Sequence, residues 1–468
     1  MMREIPIEFC ASIGATRRPF TQVPEDQQPW FSSSDTRGCK YDGVDWNALL
    51  PLDEELIESM RECEAMYMHM VARVEKARTI SYSERKRTYL LHLQFWNDFI
   101  ERNKINLFVS AWMPHEVPDH IIHFLCRLKG IPTLMFCVTP ILNCEYLIRD
   151  WEESSVEVRD RYAQLLREYK DADMHDVVLC KQFEQYFQEQ SQLQGKKAYT
   201  WPDDPSPMTL FLRRCIRDPF GALGSVYRYV RILVSPRAWL RCVQKFLEKR
   251  KGAALHRYYC ANVRKPDFSR RYLYAPLQLQ PEATTCPMGG GFMDQELIMQ
   301  MLGRYLPEDV LLYVKEHQLQ QEWSQACRSI NFYNDILSVR NASLIPMDTS
   351  TFDLREHCTA IVSGTGTAAF EAMFRGKPAL MFGHHFYQYA PGVFPVHTAE
   401  DCKKALETIF GGGGKPTLKE VRIFMKAVEE TTVFTALSDH HQRVCDLSSE
   451  EIAKNTADAL VSAIKTLA

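Results

Sequence analysis

Ile361-Val-Ser-Gly-Thr-Gly-Thr-Ala-Ala-Phe-Glu371 is the stretch that decides how this chain is read. Ala360-Ile-Val362 is a short apolar run, and it ends in a small, Gly-containing turn that opens directly into the helical pattern Thr367–Phe374. A buried strand feeding a helix through a tight turn is the repeating unit of a parallel α/β sheet. Such a turn aims backbone N–H groups and the positive end of the helix dipole outward, which suits a phosphate. Ser363, Thr365 and Thr367 add hydroxyls, and Gly364 and Gly366 let a ligand approach the backbone. Glu371, one turn into the helix, is within reach of a ribose diol. The plain alternative is a strand-to-helix turn capped by Ser and Thr, and spacing alone leaves both readings open. On the phosphate reading, Gly364→Val abolishes nucleotide binding with the fold intact.

Outward from this unit the second half alternates. Strands are expected at Arg271–Leu277, Val310–Val314, Ala342–Ile345, Ala360–Val362 and Pro378–Phe382. Helices are expected at Asp294–Tyr305, Gln325–Val339, Thr351–His357 and Thr367–Phe374, then at Ala399–Ile409, Leu418–Glu430 and Ser448–Leu467. This alternation predicts a doubly wound parallel sheet, whose ligands bind outside the carboxyl ends of the strands. Two further strand ends carry suitable chemistry. The first strand runs into Gln280, Glu282 and the glycines Gly289, Gly290 and Gly291, which admit a ligand or simply form a flexible loop. The second ends in Lys315, Glu316 and His317. Convergence of the three tips on one rim is the signal; each alone is weak.

The first half is less regular. Pro6–Ser12 reads as a strand and Thr21–Asp45 as an irregular loop, and Asp53–Asn103 has helical spacing split near Ile80–Ser83. Ile105–Trp112 and Ile131–Val138 are apolar strands flanking the helix Pro118–Leu128, which predicts parallel pairing. His115, Glu116 and Asp119 follow the first of these strands and project toward an interdomain cleft, as a general base would, or else are solvated and capping residues. Glu152–Gln194 is helical and charged. Leu210–Tyr259 carries twelve Lys and Arg against Asp218 and Glu248, a local charge of +10, interleaved with aromatics. Either it is a solvated face answering the acidic segment Asp150–Glu168, or it docks on anionic lipid or an acidic acceptor. No nucleic-acid module accompanies it.

With 468 residues and a formal charge of −3, the chain fits two domains and shows no global bias toward a charged partner. Its 15 cysteines are scattered without a CxxC pair, which points to reduced thiols rather than a disulfide scaffold or zinc ribbon. The N-terminus lacks a signal-like apolar core, and no window is long and apolar enough for a membrane span. A cytoplasmic chain, peripheral at the inner membrane face through 210–259, is the expectation. His384-His385 and His440-His441 lack partners at metal-ligand spacing. The expected divisions are 1–206 (acceptor-side domain), 207–265 (basic helical connector), 266–445 (nucleotide-sugar-binding domain) and 446–468 (terminal helix).

Several of these residues also carry a family resemblance. Tyr274-Ala-Pro-Leu-Gln-Leu-Gln280 with Pro281-Glu282, Leu306-Pro307 followed by Val314-Lys-Glu-His317, Ser363–Ala372, and Gly376-Lys-Pro378 with Phe382-Gly383 and Tyr387 together resemble the bacterial capsule polysaccharide biosynthesis and export proteins, which include the capsular Kdo transferases. The likeness covers Arg271 to Tyr389, with a fainter echo in Pro114-His115 and Gly130-Ile-Pro132. One residue departs: the family shows His-Pro where Gln318 follows His317 here. The resemblance implies an α/β, GT-B-like fold: two Rossmann-like, doubly wound parallel-sheet domains with a helical insertion. It further implies a glycosyltransferase using a nucleotide-sugar donor, Kdo or a related acid sugar among them, and a polysaccharide or lipid-linked acceptor, without a metal or other cofactor. By position, Lys315 and His317 neutralise donor phosphate, Ser363–Thr367 cradle it and Glu371 holds the ribose. Architecturally similar alternatives are a CDP-glycerol-type polymer phosphotransferase, a nucleotide-sugar 2-epimerase, and a non-enzymatic capsule-assembly scaffold with a degenerate site.

Overall fold

Period-2 alternation builds the larger sheet of the computed structural model, which describes residues 4–71, 80–192, 236–320 and 328–467. Successive strand residues point to opposite faces. In β6 (Tyr272–Pro276), Tyr272 and Tyr274 enter one apolar cluster while Leu273 and Ala275 enter another. The same split separates Tyr313 from Leu312 and Val314 in β7 (Leu311–Lys315), and Ile361 from Ala360 and Val362 in β9 (Ala360–Ser363). With β8 (Ala342–Ile345), β10 (Ala379–Met381) and β11 (Val393–Pro395) these strands form a six-stranded sheet in the order β11-β10-β9-β6-β7-β8, every pair parallel. Both faces are covered, as a parallel sheet requires. Helices Glu296–Tyr305, Ile330–Ser338 and Ala399–Phe410 lie on one side. Helix Thr367–Met373 contributes Ala369, Phe370 and Met373 to the other.

The smaller sheet has the order β12-β5-β4-β3. β3 (Phe108–Ser110) and β4 (Thr133–Val138) are parallel across the helix Pro118–Leu128, as their spacing predicts. β5 (Cys144–Ile148) follows a turn in which Thr139 N–H donates to Cys144 O and Asn143 adopts φ 57°. A link this short can only reverse the chain, so β5 runs antiparallel to β4. β1 (Ser12–Gly14) and β2 (Trp30–Ser32) make a separate parallel pair. The first strand therefore begins where Pro6–Ser12 was expected to end, and the expected loop Thr21–Asp45 holds β2 and the helix Ser33–Arg37. Glu152–Gln194 is two helices, Val156–Glu168 and Lys181–Gln192. The part of the basic stretch from 210 to 235 lies outside the described residues; the rest is the helix Pro236–Ala261.

The chain does not end on the sheet it has just built. Helix Leu418–Thr431, opened by a Thr417/Glu420 capping box, buries Val421, Phe424, Met425 and Val428 and packs along Val156–Glu168. Its Arg422 donates to Val177 O at 2.8 Å and to both Glu184 oxygens at 2.6 and 3.2 Å. β12 (Val433–Phe434) then pairs antiparallel with β5, and Leu460 of helix Ser449–Lys465 packs on Leu134 and Phe136 of β4. The crossing back to the first half thus begins at Thr417, upstream of the division expected at 445. Two α/β sheets tied by a returning C-terminal segment make the GT-B-like layout. No helix among the described residues is long and apolar enough to cross a membrane.

Candidate active site at the switch point

The order β8-β7-β6-β9-β10-β11 reverses direction between β6 and β9. Loops leaving neighbouring strands in opposite senses open a crevice there, where α/β sheets bind ligands. The loops after β6, β7 and β9 all rise from this edge and touch. Gln278, just beyond β6, donates from Nε2 to Thr365 Oγ1 at 2.9 Å and accepts the Thr365 N–H on Oε1 at 3.0 Å. Thr365 Oγ1 donates to Thr284 O at 2.5 Å, and His384 N–H to Met288 O at 2.8 Å. Gly289, His317 and Ser363 therefore sit on one rim.

A buried cation ties the tips together. Arg328 bonds Glu316 at 2.7 Å, with both side chains essentially excluded from water, and donates to Gln278 O at 3.1 Å and to Gln280 Oε1. Glu316 also accepts the Tyr333 hydroxyl at 2.7 Å and the His317 N–H at 2.8 Å. Charges this deep are retained only when fully hydrogen-bonded, and this pair is. One guanidinium thus holds the loops after β6 and β7 in register.

The network changes the expected roles. Lys315 shares the sheet face of Tyr313, which the helix Thr351–His357 covers, and its ammonium donates to Thr349 O and Thr351 Oγ1 at 2.5 and 2.9 Å. Burial lowers its pKa. It is a structural strut here, not a cation offered at the rim. Ser363, Gly364 and Thr365 are buried, and the N–H groups of Thr365 and Gly366 are taken by Gln278 and Ser363 Oγ. The inner turn is therefore satisfied internally, because buried amides need partners. Gly364 serves that packing: a Cβ there would lie 2.2 Å from Gln278 Oε1, so a valine disturbs the fold as well as any ligand. Gln280 belongs to the Arg328 network, and Glu371 is paired with Arg355. Glu282 accepts the Thr284 hydroxyl at 3.1 Å within its own turn. Gly289 and Gly290 are buried, and Gly290, at φ 53°, faces His384.

What the rim does present is narrower. Gly366 caps the helix Thr367–Met373 without any side-chain cap, and Thr367 is exposed. Of its first amides, those of Gly366 and Ala369 bond Ser363 Oγ and Gly366 O, which leaves the N–H groups of Thr367 and Ala368 at the positive end of the dipole. His317, half-buried at the tip of β7, accepts the Leu319 N–H on Nδ1 at 3.2 Å. An amide can only donate, so the neutral ring carries its proton on Nε2, a hydrogen-bond donor. Gly291 is exposed with open space around it.

The loop after β3 has the opposite polarity. His115 Nδ1 lies 2.6 Å from Met113 O, which can only accept, so Nδ1 donates and Nε2 bears the lone pair. Asp119 is half-buried as a residue, but its carboxylate points into the loop, accepting N–H groups of His115 at 3.3 Å and His120 at 2.7 Å. Burial first, then neighbouring Glu116, pushes this carboxyl up to about 8. Glu116 itself is bridged to Arg37 at 2.7 Å. Of the two histidines singled out in the sequence, bonding leaves Nε2 of His115 an acceptor and Nε2 of His317 a donor.

Sequence reasoning missed Gln278, Arg328 and His384. Gln278 stood inside the Tyr274–Gln280 motif without a role assigned to it, and Arg328 lacked any motif. His384, set aside as a metal ligand, donates from Nδ1 to Glu152 O at 2.9 Å, and burial followed by His397 lowers it to about 4. With Trp151 against its ring and Gln388 and Tyr389 bonded to the carbonyls of Glu152 and Glu153, it joins the rim to the first half. Among the described residues no three His, Cys, Asp or Glu side chains gather as metal ligands would.

No curated protein matches the chain. Solved structures that match include the Thermosulfurimonas dismutans KpsC β-Kdo 2,7 transferase, with 10% identity and a TM-score of 0.29 over 81% of this chain and 93% of that one. UDP-GlcNAc 2-epimerase from Neisseria meningitidis, bound to UDP-GlcNAc, matches at 10% identity and a TM-score of 0.29 over 91% and 99%. Likenesses at this level say nothing about what this chain acts on. The family described as "Capsule polysaccharide biosynthesis protein" matches residues 237–405, a segment that holds the whole six-stranded sheet. That segment, just over a third of the chain, is what this protein shares with the capsule polysaccharide biosynthesis family.

Proposed function

We propose that this protein is a GT-B-type glycosyltransferase that moves a sugar from a nucleotide-activated donor to a capsular or cell-surface polysaccharide or glycolipid precursor. The observation that carries the reading is the switch-point crevice between β6 and β9, flanked by an uncapped helix N-terminus at Thr367 and by the Nε2–H of His317. Both groups suit the leaving phosphate of a nucleotide sugar, whose developing charge fixed dipoles stabilise without a cofactor. A ribose contact from Glu371 would compete with Arg355. On the acceptor side we assign the base to the loop Met113–Asp119, with the lone pair of His115 Nε2 first and Glu116 and Asp119 behind it.

Calorimetric titration with CMP-, CDP-, UDP- and GDP-activated ligands tests this. A single nucleotide class should bind, and its sugar should be transferred only when acceptor is present. Isomerisation of the donor without acceptor would instead assign a 2-epimerase, and transfer of glycerol phosphate from a CDP-glycerol donor would assign a polymer phosphotransferase. The occupation of the inner turn by Gln278 favours one further reading, a scaffold with a degenerate site, for which none of the four classes binds.

A further inference from the structure

The helix Pro236–Ala261 is packed at its C-terminal end and exposes four apolar side chains nearer its start. Its last turns are fixed to the six-stranded domain. Leu255 and Tyr258 pack against that core, and Tyr259 donates to Ile345 O at 2.6 Å while accepting the N–H of Glu316 at 3.1 Å. Toward its start, Trp239 is 72% exposed, Val243 42%, Phe246 60% and Leu247 58%. At about 100° per residue these four side chains fall within an arc of roughly 100°, on one side of the helix. Lys249 and Lys251 flank this arc, and Arg250 stands within it, over the Phe246 ring at 5.7 Å to the centroid. The helix carries seven Lys and Arg against Glu248, in a chain whose total charge is −3.

We infer that this face docks on an anionic lipid surface, with the helix lying in the headgroup plane and Trp239, Val243, Phe246 and Leu247 entering the acyl boundary. Exposed apolar side chains flanked by lysines, with one arginine whose long stem can snorkel among them, suit an interfacial helix. A second copy fits less well, since two such helices would bring like charges together. The inference stands apart from the proposed transferase activity. It also has a geometric consequence: Tyr259, which anchors the helix, is bonded to the tip of β7, so the rim is held at a fixed position relative to the bilayer.

The test is flotation of the full chain with vesicles of phosphatidylcholine alone and of phosphatidylcholine with 30 mol% phosphatidylglycerol (~30%, a standard anionic surface). Binding is expected only to the anionic vesicles, weakening steeply as salt rises. Lys249→Glu with Lys251→Glu should weaken it by more than about 25-fold, taking roughly fivefold per cation lost near the surface. Phe246→Ser with Leu247→Ser should weaken it at least about tenfold at constant charge, with thermal unfolding and nucleotide binding unchanged. Equal binding by the serine variant and the parent would overturn the apolar insertion, and no binding at low salt would overturn the surface altogether. Lipid-free self-association that the serine variant abolishes would give the face to a second copy instead.

Discussion

Replacing Gly364 by alanine places a methyl carbon 2.2 Å from Gln278 Oε1, and no rotamer of the new residue avoids it, because the atom is Cβ itself. The Gln278 amide must leave, and two bonds go with it: the Thr365 N–H to Oε1 and Nε2–H to Thr365 Oγ1. Each is worth about 1 kcal/mol net, and stranding the buried Thr365 amide costs about 1–3 kcal/mol more. The expected destabilisation is therefore about 3–5 kcal/mol, or on the order of 10 °C in the unfolding temperature of a domain this size. The decisive measurement is a double-mutant cycle by scanning calorimetry. Gln278→Ala loses the same bonds but empties the space, so adding Gly364→Ala to it should cost little. The cycle should then show a coupling close to the cost of the single glycine substitution, about 3–5 kcal/mol. Strict additivity would refute the argument, because it would mean that the glycine is not there to admit Gln278.

Four other outcomes are expected. Arg328→Met strands the Glu316 carboxylate and should destabilise the protein by about 3–5 kcal/mol; an unchanged unfolding temperature would remove Arg328 as the strut of the rim. His317→Ala should lower turnover on the order of 10²-fold, the scale for one preorganised charge stabiliser, and wild-type rates would exclude it. His115→Gln should abolish the dependence of rate on the base with donor affinity unchanged, as measured by calorimetry; loss of donor affinity would place His115 on the wrong substrate. The Asp119 carboxyl is pushed up to about 8, so between roughly pH 4 and 8 the folded state holds a proton that the unfolded chain has released. Stability should fall as pH rises through that window, by up to about 1.4 kcal/mol per unit, and flatten above it. Asp119→Asn should remove the slope; a slope that survives in the variant assigns it elsewhere.

The sequence by itself determined which segments are strands and helices of the second half. Runs such as Ala360–Val362 and Pro378–Phe382 are too short and apolar for helices, and small-residue turns separate them from 3.6-period segments. Ala342–Ile345 and Thr351–His357 came out with the expected ends, as did Pro118–Leu128 in the first half. It also placed the rim, since any parallel sheet gathers its strand ends on one edge. Strand order, by contrast, is a pairing between distant segments, and no local pattern contains it; neither β5's reversal nor β12's return to it could be read locally. Only the tertiary structure decided which polar residue at each tip faces water. Lys315 and His317 are two residues apart and chemically alike as phosphate partners, yet the helix Thr351–His357 covers the face that Lys315 occupies and leaves His317 at the edge. The same holds for the Ser363–Thr365 turn, which a glutamine 87 residues away in the chain fills from within. A buried amide takes the nearest acceptor in space, and sequence distance does not enter that choice.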